Sequence, residues 1–279
     1  MSDLSDTPNN FTQYVSKEPL SELPLPLTHI TDGYSFRDIL ENGELRPTTC
    51  EVFREKLLYL FYGRPVYRVW SDVKATSFPI FYPICILLKP ECLKMAKRVF
   101  PFDSGAFDAN MYGDYMEMYG RFDLDSFLVN PIPHIPNQIP LPGTPGHVVS
   151  TFFGTNYNYY NNEIRNALKF GLYFEAESYY EMIASKKEEK YDSRCSTIEI
   201  QTDATIHLSK DTVYAIFLPE QLSEDERIRK IVRGKWETEP LTYIKPGRVE
   251  PSRITDILVG EVRNFLSEKG FLRNMEQAI

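Results

Sequence analysis

Apolar positions along the chain recur at helical spacing in some stretches and run unbroken in others. Leu23-Pro24-Leu25-Pro26 reads as extended, because proline restricts itself and the residue before it. Leu27 to Ile30 follows as a short strand. Thr31 or Asp32 is placed to cap a helix whose apolar face is Tyr34, Phe36, Ile39 and Leu40, and Gly43 is placed to end it. Leu57 to Tyr62 reads as a buried strand closed by Gly63-Arg64-Pro65. Pro79 to Leu88 reads as another. Its end, Ile84 to Leu88, has no polar interruption, the pattern of a strand covered on both faces. Thr197 to Ile200 and Thr212 to Leu218 are two further strands, and Ser223 to Arg233 has an amphipathic helical pattern. Residues 234–253 read as a connector and Ser252 to Ile279 as a closing helix.

Two regions break this regularity. Residues 1–22 are polar, acidic and proline-containing, and are expected to form a flexible leader. Residues 101–162 are rich in Tyr, Asn, Pro, Gly and Asp, with six prolines between Pro131 and Pro145. They read as a long loop-rich insertion with one short helix near Asp108 to Met118, and long ordered loops usually carry function. Helical spacing returns from Asn161 to Lys187 before the charged run Lys186 to Lys190. The length is enough for one large domain or two small ones.

Composition narrows the class. The 279 residues are 42% hydrophobic and 25% charged, ordinary values for a globular chain large enough for a sizeable core. No run of about 18 apolar residues is present, so no membrane span is expected. The N-terminus lacks the basic start and apolar stretch of a signal peptide. Cys50, Cys85, Cys92 and Cys195 have neither disulfide nor zinc spacing, which points to reduced thiols and a cytoplasmic location. A net charge of −8 argues against a broadly basic nucleic-acid coat but leaves a local basic groove open. No glycine-rich phosphate loop, nucleophile elbow or metal-ligand spacing of histidines occurs, so no metal is expected.

Chemistry-bearing groups lie inside the apolar strands, where a polar side chain is costly unless paired or liganded. His29 reads either as a core histidine on a backbone partner or as a donor at a cleft rim together with Thr31. Arg64, between Gly63 and Pro65, either pairs with a local acid such as Glu55 or Asp72 or offers its planar fork to a diphosphate. Tyr59, Tyr62 and Tyr67 are core rings or stacking platforms for a heteroaromatic base. Glu199, between Ile198 and Ile200, points away from both. It is either an edge residue facing water or a carboxylate facing a sugar carbon, with Arg194 and Gln201 near to orient it.

His29-x-Thr31, the helix ending in Gly43, Phe61-Tyr62-Gly63-Arg64-Pro65 and the Arg194 to Ile200 block come in an order that resembles the ADP-ribosyltransferase superfamily. Within it the chain resembles the DarT-type toxins that modify nucleic acid. The matched segments total under a third of the chain. Ser196-Thr197-Ile198 before the glutamate and the 101–162 insertion depart from that pattern. The resemblance implies an α+β fold, a single catalytic domain over 23–279 with the insertion at about 101–162, a split mixed β-sheet core with flanking helices, and NAD as co-substrate. It implies that Glu199 and Arg64 are catalytic, and that His29, Thr31, Tyr62, Tyr67 and Arg194 hold NAD. A single-stranded nucleic acid acceptor, with the insertion's aromatics stacking on its bases, and a neutralising antitoxin protein complete the expectation. The alternatives are an NAD glycohydrolase and a non-catalytic nucleotide- or partner-binding module on the same fold.

Overall fold

The computed structural model describes residues 8–20, 22–66, 75–116, 121–129, 144–185, 193–244 and 247–273. They form a mixed α+β protein. Its strands are β1 (Leu27–Thr31), β2 (Glu44–Leu45), β3 (Thr48–Cys50), β4 (Glu55–Tyr62), β5 (Ile84–Leu88), β6 (Arg98–Phe100), β7 (Glu199–Thr202), β8 (Ile206–His207), β9 (Val213–Pro219) and β10 (Pro240–Tyr243). Its helices are α1 (Asn10–Val15), α2 (Gly33–Asn42), α3 (Ser104–Asp108), α4 (Gly113–Met116), α5 (Thr144–Phe152), α6 (Asn156–Tyr160), α7 (Phe174–Ala184), α8 (Glu220–Ser223), α9 (Glu226–Gly234) and α10 (Pro251–Glu268). The chain divides into two compact units. The first is Met1–Pro24, Ala96–Ile200 and Arg273–Ile279, and the second is Leu25–Met95 and Gln201–Leu272.

The second unit is built on a mixed sheet in the order β10-β9-β5-β1-β4, with β3 also paired to β4. β9 and β10 are parallel, and the other pairs are antiparallel. β2 and β8 form a separate ribbon. β5 lies between β1 and β9 and all five of its residues are buried, as its unbroken apolar run requires. Pro79 to Phe81 form a 3-10 turn, so the strand starts five residues later than the sequence suggests. A proline at the first turn position both favours that turn and supplies no N–H to a ladder. Ile254, Leu258, Val262 and Leu266 of α10, at four-residue spacing, are all fully buried. Burial of each such side chain is worth about 1.5–3 kcal/mol. α2 begins with Asp32 accepting from Ser35 N–H at 2.7 Å and ends at Gly43 with φ of 72°, as its pattern predicts. The expected connector 234–253 contains β10, whose four residues carry too weak an apolar pattern to stand out.

In the first unit α1 falls within the expected leader. Asn9 caps α1 by accepting from Thr12 N–H at 2.8 Å and donates to the Leu128 carbonyl at 2.7 Å. Phe11, fully buried, meets Phe127, Phe152 and Tyr179 at centroid distances of 5.9, 5.9 and 5.7 Å. The insertion is likewise a core-forming segment and more helical than expected, containing α3, α4, α5 and α6. Its rings Phe102, Phe107, Tyr112, Phe127, Phe152 and Tyr159 are buried. Aromatic side chains bury large areas, so a segment short of aliphatics still packs.

Candidate functional site

The groups singled out from the sequence fall into two sets, one in each unit. In the second unit, β1 and β4 pair antiparallel with Leu27 opposite Tyr62 and Thr28 opposite Phe61. His29 is half-buried, and its Nδ1 lies 3.2 Å from the Tyr59 carbonyl of β4. A carbonyl only accepts, so Nδ1 carries the proton and Nε2 of the neutral ring is an acceptor. Burial lowers the imidazole pKa, against a smaller opposing contribution from the Tyr59 hydrogen bond. The backbone partner of the core reading is therefore present, while the ring atom left over accepts instead of donating.

Arg64 follows from the turn at Gly63. Gly63 has φ of 68°, and a Cβ there would lie 2.5 Å from Leu25 Cδ1. Its N–H donates to the Pro26 carbonyl at 2.8 Å, and the Arg64 N–H donates to Tyr62 O at 2.7 Å. This tight turn folds the Arg64 carbonyl back onto Thr28 Oγ1, whose one proton is shared between it and Phe61 O, each at 3.2 Å. Arg64 is only 4% exposed, so its cation belongs to the interior and not to a solvated loop. Thr28, which drew no attention in the sequence, ties the Arg64 main chain to β1 one residue before His29. Its signal was a hydroxyl in an apolar strand, where it must find a partner.

Thr31 is buried at the end of β1. Tyr62 is 1% exposed and its Oη accepts from Leu25 N–H at 2.9 Å. This places its ring among the core and uses its hydroxyl to fix the chain leading into β1. Tyr67 and Asp72 lie outside the described residues.

In the first unit, Glu199 opens β7 and is 1% exposed. It does not face water. Alternation gave its direction, but every residue of β7 is buried, so both faces are covered. Its Oε1 accepts from Ser104 Oγ at 2.7 Å and its Oε2 from Ser104 N–H at 3.2 Å. Arg194, in the 3-10 turn Ser193–Ser196, accepts through its carbonyl from Asp103 N–H at 3.1 Å. Its Nη2 points to Met111 Sδ at 3.3 Å. Tyr159 Oη accepts from Ile198 N–H at 3.1 Å, just ahead of the glutamate. Ser104 and Asp103 were missed because 101–162 read as loop. Asp-Ser-Gly ahead of Ala-Phe carries a helix N-cap signal, and Asp103 does accept from Ala106 N–H at 2.9 Å.

The aromatics offered for base stacking, at residues 107–122 and 152–160, include Phe107, Tyr112, Phe152, Phe153, Tyr159 and Tyr160, all buried. Those rings complete the core instead of presenting faces to a ligand. Arg165 donates from Nη1 to the Ser150 and Thr151 carbonyls at 2.9 and 3.3 Å. It thereby satisfies the C-terminal turn of α5.

Among the described residues no group of three or more His, Cys, Asp or Glu side chains could hold a metal ion. No described helix is long and apolar enough to cross a membrane. The four cysteines are buried and none is in a disulfide. The chain matches no family model, no curated protein and no solved structure.

Proposed function

We propose that the chain is an NAD-dependent ADP-ribosyltransferase with a split mixed-sheet catalytic core. The supporting observation is the β1–β4 pair. It holds a neutral His29 with its Nδ1 proton committed to Tyr59 O and sets the buried Arg64 beside Thr28. An acceptor Nε2 suits a ribose hydroxyl or the carboxamide N–H of nicotinamide, and a guanidinium suits a diphosphate. In this reading Thr31 and Arg194 complete the NAD contacts. Glu199 stabilises the cation-like sugar as nicotinamide leaves and orients the attacking group. The acceptor is a base in single-stranded nucleic acid, taken from the resemblance. A toxin or defence effector held in check by an antitoxin in the cytoplasm is the matching biology. Burial of the insertion's aromatics favours a second reading, NAD glycohydrolysis with water as acceptor.

The test is incubation with labelled NAD and separate pools of RNA, DNA and protein, with nicotinamide release followed in parallel. Label on single strands in excess of the same sequence as duplex supports the transferase. Nicotinamide release without labelled acceptor supports the hydrolase. No nicotinamide release in any pool removes the NAD chemistry and leaves a binding module.

A further inference from the structure

We propose that Ser104 is the positioning residue for the Glu199 carboxylate, an inference that rests on the NAD-cleavage reading above. A glutamate carboxylate has rotational freedom about its terminal torsion, which is broad and two-fold. Ser104 removes that freedom by gripping both oxygens, Oε1 from its hydroxyl at 2.7 Å and Oε2 from its backbone N–H at 3.2 Å. Two donors from one residue fix the plane of the carboxylate as well as its location.

Ser104 is itself immobilised from several sides. Asp103 N–H holds the Arg194 carbonyl at 3.1 Å, and the Asp103 side chain caps α3 through Ala106 N–H at 2.9 Å. Tyr179 Oη donates to Pro101 O at 3.1 Å. Phe102 is fully buried and meets Phe107 at 5.6 Å and Phe127 at 5.4 Å. The Pro101–Ser104 turn is thus set in the aromatic core of its unit, and the carboxylate takes its orientation from that core. This arrangement gives the described part of the insertion a role at the proposed site, by support from behind. A charge that must face one carbon of a bound sugar gains most from such bracing, because a misplacement of about 1 Å costs on the order of a hundred-fold in rate.

The experiment measures nicotinamide release by the full chain as Ser104→Ala and Ser104→Thr, with Glu199→Gln as the reference for complete loss. Ser104→Ala keeps the N–H contact and removes the hydroxyl. Losing one hydrogen bond to a charged group should lower kcat by about ten- to a hundred-fold, with KM within two-fold of wild type. Ser104→Thr restores a hydroxyl and should recover most of kcat. Wild-type kcat in Ser104→Ala overturns the proposal, as does a loss confined to KM or no recovery in Ser104→Thr. An unfolded Ser104→Ala leaves Ser104→Thr against Ser104→Val, matched in shape, to decide by the same criterion. Wild-type chain that releases no nicotinamide overturns the underlying NAD reading, a result distinct from turnover that ignores Ser104.

Discussion

Gly63 and Gly43 both adopt left-handed backbone, with φ of 68° and 72°, yet alanine should be tolerated very differently at the two. A Cβ at Gly43 would meet nothing within 4 Å. At Gly63 it would lie 2.5 Å from Leu25 Cδ1, 3.2 Å from Cγ and 3.1 Å from Cβ. The left-handed conformation costs a non-glycine residue about 1–2 kcal/mol, and the stiffer unfolded chain returns about 0.4–1 kcal/mol. Both contributions are common to the two sites and cancel in the comparison. What remains is overpacking against Leu25, which is fully buried and has its N–H held by Tyr62 Oη at 2.9 Å. Forcing extra volume into a filled core costs about 1–3 kcal/mol, so Gly63→Ala should lose that much more stability than Gly43→Ala. Both positions are in the second unit, as is the buried Trp236, whose fluorescence reports urea unfolding. A Leu25→Ala background removes Cγ and Cδ1 but leaves Cβ, so the gap between the two glycine variants should shrink without vanishing. Equal losses at the two glycines, or a gap untouched by Leu25→Ala, would refute the steric account of the turn that sets Arg64.

Three other expectations are independent of that turn. Glu199→Gln can keep both contacts, because the amide oxygen accepts from Ser104 N–H while the amide nitrogen donates to a rotated Ser104 hydroxyl. Glu199→Ala removes the acceptor of both contacts and should cost about 1–3 kcal/mol more than Glu199→Gln in urea melts; equal melts would refute the clasp. His29 is held below its ordinary pKa, so the unfolded chain takes up its proton first and stability should fall as pH drops below about 6.5. His147, also lowered by burial, adds to the same slope, so each of His29→Gln and His147→Gln should flatten it, as measured by urea midpoints from pH 5 to 8. Burial pushes the Cys92 thiol up to about 11, leaving roughly one thiolate in a thousand at pH 8. Iodoacetamide should therefore spare Cys92 in native protein and modify it in urea, with peptide mass mapping as the readout.

What the sequence determined by itself is local. Asp32 and Gly43 bounded α2, and the unbroken apolar residues placed β5 inside. Each depends on neighbours within a few positions, where backbone preference and periodicity act. The sequence also singled out His29, Arg64 and Glu199, because charge or imidazole inside an apolar strand is conspicuous wherever the strand lies. It did not contain their partners in readable form. The Tyr59 carbonyl, the Thr28 hydroxyl and the Ser104 donors lie 30, 36 and 95 positions away from the groups they hold. Only tertiary packing brings such pairs together. The packing of the leader and the insertion was hidden for the same reason. Phe11 and the rings of 101–162 have no periodic pattern of their own, and their burial follows from one another across more than a hundred residues. Polar composition predicted exposure, but aromatic area packed from distant segments decided it.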